Sequence, residues 1–405
     1  LTHVRSHRHL ACLALVCATL LPGPAARGQG AITNVRAAQR AGTNLVDIDY
    51  DVTGTTLPLQ ISLEVSADDG TTYNIPATAL SGAAGANVTP ATNLRLTWDA
   101  GKNWGGHFST TMRYKVVADD APAAPAGFAL IPAGPFQMGD QSSPLVGSSG
   151  ELPVHTVQVS AFYMGKYEVT KEEWDAVRTW GLGNGYTDLA AGNGGYASKG
   201  ANHPVHSISW FDMVKWCNAR SQKEGLTPCY TVSGATYQTG SSAPVCNWSV
   251  NGYRLPTEAE WEKAARGGVA GKNFPWGTDT ISHSQANYNS GSSYAFDVSP
   301  TRGYHPTYYT GSFPFSSPVG SFAPNGYGLY DMAGNMWEWC WDWYGAYAAG
   351  SQTDPRGAAS GTGRVDLGGG WYDYALYCRA AYRDNDTPGY ANVGLGFRTA
   401  RSSGP

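Results

Sequence analysis

YRLPTEAEWEKAARGG, residues 253–268, decides the fold. Thr257 stands before a run of good helix formers and Glu260 follows three residues later, where the carboxylate can reach back to the cap amide. The helix so opened stops at Gly267 and Gly268. TKEEW (170–174) repeats the pattern with Thr170 and Glu173. A third helix starts at Ser209, has Asp212 in its first turn, and sets Met213, Trp216 and Cys217 along one face. Between and after these helices the sequence reads as loops and short strands.

The whole chain agrees with a loop-rich design. Its 405 residues allow two or three domains, 42% are hydrophobic, and only 14% are charged. The 51 glycines and 12% aromatic content point to turn-rich structure with many buried rings, away from helical bundles and disordered tails. Residues 1–30 carry Arg5, Arg8 and no acid, then LACLALVCATLL (10–21), then PGPAARGQG, and read as a secretory signal. The apolar run is too short for a membrane span, and no later stretch comes closer. Cys12 and Cys17 lie inside it, so release is expected rather than lipid anchoring. Removing 1–30 takes the formal charge from −4 to −7. A mildly acidic secreted protein without a Lys/Arg run offers nucleic acid no footprint.

Residues 31–119 read as a small antiparallel sandwich of the immunoglobulin or fibronectin kind. Apolar and polar residues alternate in LVDIDYDV (45–52), LQISLEVSA (59–67), LRLTWDA (94–100) and MRYKVVA (112–118). SADDGTTY (66–73) resembles an Asp-box turn and is read as structural. A Pro/Ala-rich linker, 120–127, follows, and twelve of the fourteen tryptophans lie beyond it.

Residues 128–402 carry IPAGPFQMG (131–139), FYMGKYEVT (162–170), the opening stretch, FPWG (274–277), NGYGLYDMAGNMWEWCWDWYG (325–345), GGGW (368–371) and GLGFR (394–398) in order. Together these resemble the sulfatase-modifying-factor family, whose namesake is the formylglycine-generating enzyme. The resemblance implies an α+β chain overall, with an all-β sandwich followed by a variant C-type-lectin domain of little regular secondary structure. It also implies an activity. Aerobic members bind Cu(I) through two cysteines five residues apart and use O2 to oxidise the cysteine of a C-x-P-x-R peptide to an aldehyde.

This chain departs from that pattern. Aligned on GGGW, Asp373 takes the first copper-cysteine position and Cys378 the second; aligned on Pro388 and GFR, Cys378 matches a downstream structural cysteine instead. A carboxylate is a hard donor and a poor ligand for Cu(I), so neither alignment leaves a dithiolate site and copper is not expected. Five cysteines remain after the leader, which in an oxidising compartment suggests two disulfides and one thiol. Against the family's WEW segment, Cys340 pairs with Cys378 and Cys229 with Cys246, leaving Cys217 as an inert buried thiol.

The family's structural Ca2+ site maps onto Asp331, Gly334, Met336 and Glu338, two carboxylates and two carbonyl donors of the hard kind calcium takes. A second calcium site is degraded, with Asn287 and the Tyr288 carbonyl in place but Gly311 where a carboxylate belongs. His203 and His206 in NHPVH, with His155 and His305, are read as loop or hydrogen-bonding groups rather than metal ligands. No G-x-S-x-G, H-E-x-x-H or P-loop pattern is present.

The segment after GGGW clusters Tyr372, Asp373 and Tyr374, then Asp384, Asn385 and Asp386, then Tyr390 and Asn392. Tyrosine gives rigid contact area with a polar tip, and Asn/Asp give adaptable hydrogen bonds, the chemistry of recognition. The clusters also resemble the variable segments of retroelement-diversified proteins of this fold. Trp371, Tyr377, Tyr382 and Phe397 are read as core. The sequence thus points to a secreted, extracytoplasmic protein holding a peptide or glycan on this surface. The alternative is a formylglycine-generating or related oxidoreductase acting on exported sulfatases, with Cys378 as its one remaining catalytic thiol.

Overall fold

The computed structural model describes residues 31–54, 59–105, 109–119, 124–142, 146–194 and 199–403. The signal read at 1–30 and residues 120–123 of the linker lie outside them.

The first unit is all-β apart from one short helix. Its elements are β1 (Ala31–Gln39), β2 (Leu45–Thr53), β3 (Leu59–Ser66), β4 (Leu80–Gly82), β5 (Gly85–Val88), β6 (Leu94–Asp99), α1 (Ala100–Trp104) and β7 (Arg113–Asp119). They form two sheets, β1-β2-β6-β4 and β5-β3-β7, with antiparallel pairing throughout. The alternation seen in the sequence is the alternation of burial. Val46, Ile48, Tyr50 and Val52 of β2 meet Leu59, Ile61, Leu63 and Val65 of β3 and Leu96 and Trp98 of β6 in one core. β1 is almost wholly exposed, so it carries no alternation to read. The SADDGTTY turn is structural: Asp68 Oδ1 accepts from Ser66 Oγ and from the Thr72 amide.

The second unit runs β8 (Phe128–Ile131), β9 (Gly134–Met138), β10 (His155–Val159), β11 (Phe162–Gly165), α2 (Lys171–Leu182), α3 (Trp210–Lys223), β12 (Tyr230–Val232), β13 (Ala235–Thr236), β14 (Val245–Cys246), α4 (Glu258–Ala265), β15 (Trp337–Trp343), β16 (Gln352–Thr353), β17 (Arg364–Leu367), β18 (Arg383–Asp386), β19 (Leu395–Gly396) and β20 (Ala400–Ser402). All three helix starts hold capping boxes, at Thr170/Glu173, Ser209/Asp212 and Thr257/Glu260. α2 packs on α3 through Trp174 and Trp216, stacked with centroids 5.7 Å apart, and Phe397 stands edge-on to both.

α4 buries all eight of its residues, so its carboxylates must be paired. Glu260 meets Arg254, Glu262 meets Arg266, and Glu258 meets Arg383. Gly267 ends it at φ +57°, where a Cβ would stand 2.8 Å from the Gly326 amide nitrogen. The sheet that carries the site has the order β18-β17-β15-β19. Among the described residues no helix is long and apolar enough to cross a membrane.

Candidate functional site

β17 ends at Leu367, and Gly368 and Gly369 turn the chain out of the sheet at φ +96° and +69°. The turn must be glycine at 369: a Cβ there would lie 3.0 Å from the Tyr377 backbone and 3.1 Å from Cys378 Sγ. The loop that follows folds back against the sheet. Asp373 Oδ2 accepts from Trp337 Nε1 at 2.7 Å and from the Gly370 amide at 3.0 Å. Burial raises its carboxyl to about 6 against these two donors.

Cys378 is wholly buried among Phe274, Ala286, Tyr288 and Ala375. Burial, then the charges of Asp373 and Asp297, push its thiol well up, away from a thiolate. A carboxylate tied to an indole and a sealed thiol do not fit Cu(I).

The cysteine pairing needs correction. All five cysteines outside the leader are free and buried. Cys340 belongs to the layer of Trp261, Val365 and Leu367, whereas Cys378 belongs to the separate cluster of Phe274 and Tyr288. They face different neighbours because β15 turns Cys340 toward α4 while the loop after β17 carries Cys378 beneath residues 274–288. Cys229 and Cys246 are free thiols too, but they lie on adjoining chain segments, with Tyr230 paired to Cys246 and the Asn247 amide donating to the Cys229 carbonyl at 2.8 Å. Cys217 lies buried on α3 as expected.

The calcium residues meet a different environment from the one expected. Glu338 is fully engaged, taking Arg398 Nε and Nη2, both at 2.6 Å, and Trp261 Nε1 at 2.7 Å. Gly334 and Asn335 hold φ +73° and +67°, Gly334 donates its amide to the Gly368 carbonyl, and Met336 is fully buried. Asp331, at φ +56°, has a buried Oδ1 without a partner, and so has Glu168 Oε1, a group that sequence reading missed. Burial raises Asp331 to about 6; burial, then the charges of Asp331 and Glu338, raise Glu168 well above the usual carboxylate range. Orphaned buried carboxylate oxygens of this kind fit a hard cation. Among the described residues no three His, Cys, Asp or Glu side chains converge as a metal cluster, so a cation here would rest on Asp331, Glu168 and backbone carbonyls. Asn287 serves structure, donating to the Phe315 carbonyl at 2.9 Å, and Gly311 is exposed.

The histidines are hydrogen-bonding groups. His203 Nδ1 lies 3.0 Å from Ser316 Oγ, His206 Nδ1 lies 2.9 Å from Ser207 Oγ, and burial lowers both rings to about 4. His155 Nδ1 lies 2.9 Å from the Pro153 carbonyl and His305 Nε2 lies 2.7 Å from the His283 carbonyl.

Of the surface residues, the structure gathers some and separates others. Asp384 and Asp386 lie on edge strand β18, opposite Asp366 and Arg364 of β17. Tyr372, half-buried beside Gly394, feels the charges of Asp373, Asp366 and Asp386 and the hydroxyl of Tyr390. Tyr390 is 41% exposed and accepts a 2.7 Å bond from Asn392 Nδ2, which pins the rim of the group. Asn385 instead faces Gly363, and Tyr374, 48% exposed, turns over Gly291. Trp371 and Phe397 are core as expected, while Tyr377 and Tyr382 are only half-buried against it. Asp366 was missed; its signal is a carboxylate flanked by Val365 and Leu367 in a fully buried strand.

Comparison with known proteins bears on this geometry. A family model described as a sulfatase-modifying factor enzyme 1-like domain matches residues 114–403, beginning inside β7. A formylglycine-generating enzyme of Thermomonospora curvata is 30% identical over 68% of this chain and 93% of its own. A formylglycine-generating enzyme of Bos taurus is 33% identical over 69% of this chain and 75% of its own. Among solved structures, variable protein 1 of Treponema denticola superposes with a TM-score of 0.52 at 31% identity, covering 68% of this chain and 94% of that one.

Proposed function

This chain belongs to the sulfatase-modifying factor enzyme 1-like family, and from that premise we propose that it is an extracytoplasmic ligand-binding member. It holds a peptide or glycan on the surface that follows the GGGW turn. One observation carries this reading. The two positions that would present copper thiolates hold Asp373, bound to Trp337, and Cys378, buried with its thiol pushed well up. The same segment leaves Asp384 and Tyr390 exposed beside half-buried Tyr372, Asp386 and Asn392, with Tyr374 and Asn385 exposed apart from them, a mixture suited to recognition. The likeness to a variable protein of this fold agrees with it.

The second reading, an oxidoreductase that modifies a cysteine of exported sulfatases, is favoured by relatives that bear the formylglycine-generating name. One experiment separates the two. The full chain is incubated with Cu(I), O2 and a C-x-P-x-R peptide, and the peptide is weighed by mass spectrometry. An unchanged mass is expected; conversion of the cysteine to the aldehyde would return the chain to the enzymes.

The calcium expectation stands beside this as part of the proposal, in altered form. Asp331 and Glu168 would hold the cation together with backbone carbonyl oxygens, and its positive charge would offset their orphaned carboxylate oxygens. It has no part in chemistry.

A further inference from the structure

Asp366 sits in the middle of β17 with Trp339 of β15 on one side and Asp384 of β18 on the other. It is 3% exposed, and its Oδ1 has no hydrogen-bond partner; Trp339 Nε1 beside it has none either. Directly opposed like charges destabilise a sheet, and an unpartnered buried carboxylate destabilises it further. Asp386 follows two residues along the edge strand, and Asp373 approaches from the turn. Burial, then Asp384, Asp386 and Asp373, hold the Asp366 carboxyl well above the usual range.

The arginines around this group are committed elsewhere. Arg364 lies over the rings of Trp343 and Trp210 at 3.6 and 4.0 Å, Arg383 pairs with Glu258 and Arg379 with Glu151. Among the described residues none of the four aspartates has an ion-pair partner. The fold therefore gathers four carboxyl groups without a cationic partner at and under an exposed edge, and a cation placed there would favour their ionised forms.

We propose that this acidic edge receives the cationic head of an arginine or lysine side chain on a peptide ligand, contacted by Asp384 and Asp386, attracted by Asp366 beneath them, and flanked by the rings of Tyr372 and Tyr390. The inference rests on the binding reading above and narrows it to a basic peptide. Among the described residues no three acidic or His/Cys groups converge closely enough for a metal ion, so the spread of these carboxylates suits a larger cation with several donors. Tyrosine faces add cation–π attraction. A negative edge disfavours acidic glycans.

The test uses the whole protein on a peptide array and a glycan array, followed by titration calorimetry with arginine amide, lysine amide and neutral citrulline amide. The expected result is selective capture of Arg/Lys-bearing peptides, with arginine amide or lysine amide binding at least about tenfold tighter than citrulline amide. Asp384→Asn weakens that binding about tenfold. Asp366→Asn does the same, yet its ligand-free thermal midpoint is unchanged or higher, because the substitution removes repulsion. Peptides captured regardless of basic residues, or citrulline amide equal to arginine amide, overturn the cation assignment and leave the holding surface standing. Capture of glycans only overturns the peptide assignment. Capture of nothing on either array overturns the holding surface and this inference with it. A lower midpoint for ligand-free Asp366→Asn shows the carboxylate to be structural and also overturns the proposal.

Discussion

Arg398 grips Glu338 through two parallel bonds, Nε to Oε2 and Nη2 to Oε1, both 2.6 Å and both out of reach of water. The same guanidinium donates to the carbonyls of Gly165 and Tyr330, so it ties β11, the 325–336 loop and β15 together. Removing one partner strands the other as a buried charge. Arg398→Met is expected to destabilise the protein by about 3–5 kcal/mol, read by urea denaturation. A loss below about 1 kcal/mol would show that the pair contributes little.

Asp331 leads to a calcium prediction. Added Ca2+ should raise the stability of the wild type, by about 2.7 kcal/mol at a hundredfold excess over its Kd. Asp331→Asn should abolish the gain, and Glu168→Gln should reduce it, since those two carboxylates carry the orphaned oxygens. Differential scanning calorimetry with Ca2+ and with chelator reads both. If chelator leaves the wild-type midpoint unmoved, the cation site is wrong.

The cysteines give a covalent check. Under mild oxidation a nonreducing peptide map should show Cys229 joined to Cys246, whose chain segments are bridged by the Asn247 amide, and should show Cys340 and Cys378 unpaired. The bond would close a short loop and add about 3 kcal/mol of stability. Cys378 should resist iodoacetamide until the protein unfolds, because its thiol is buried and far from ionised. A Cys340–Cys378 peptide in the map would contradict the separate clusters described above.

What was legible in the sequence follows from how local each feature is. The capping boxes at Thr170, Ser209 and Thr257 were legible because a cap is completed within four residues. The alternation of β2, β3 and β6 was legible because one face of each strand is buried. β1 was not, because almost nothing in it is inside. Family motifs placed Asp331 and Glu338 in one segment, yet only the fold shows Arg398 arriving from 60 residues further along to occupy Glu338. Glu168 and Asp366 escaped for the same reason: each is made unusual by neighbours distant in sequence. The Cys340–Cys378 pairing, carried over from the family's WEW segment, failed because a motif match does not say which layer a side chain enters.

Asp373 supplies the pH dependence. Its carboxyl is raised from 3.8 to about 6, burial outweighing the bonds from Trp337 and Gly370, so the folded state holds a proton that the unfolded chain releases near pH 4. The stability this contributes is fully present below pH 4 and is lost as pH rises through about 6; Asp331, raised likewise to about 6, acts in the same direction. Asp373→Asn keeps an oxygen acceptor for the Trp337 indole and removes the titration. Between pH 4 and 7 the variant should therefore lose less stability than the wild type, by on the order of 2 kcal/mol. Urea midpoints taken across that range read the difference. Parallel curves for the two proteins would mean that Asp373 titrates as freely as an exposed carboxylate.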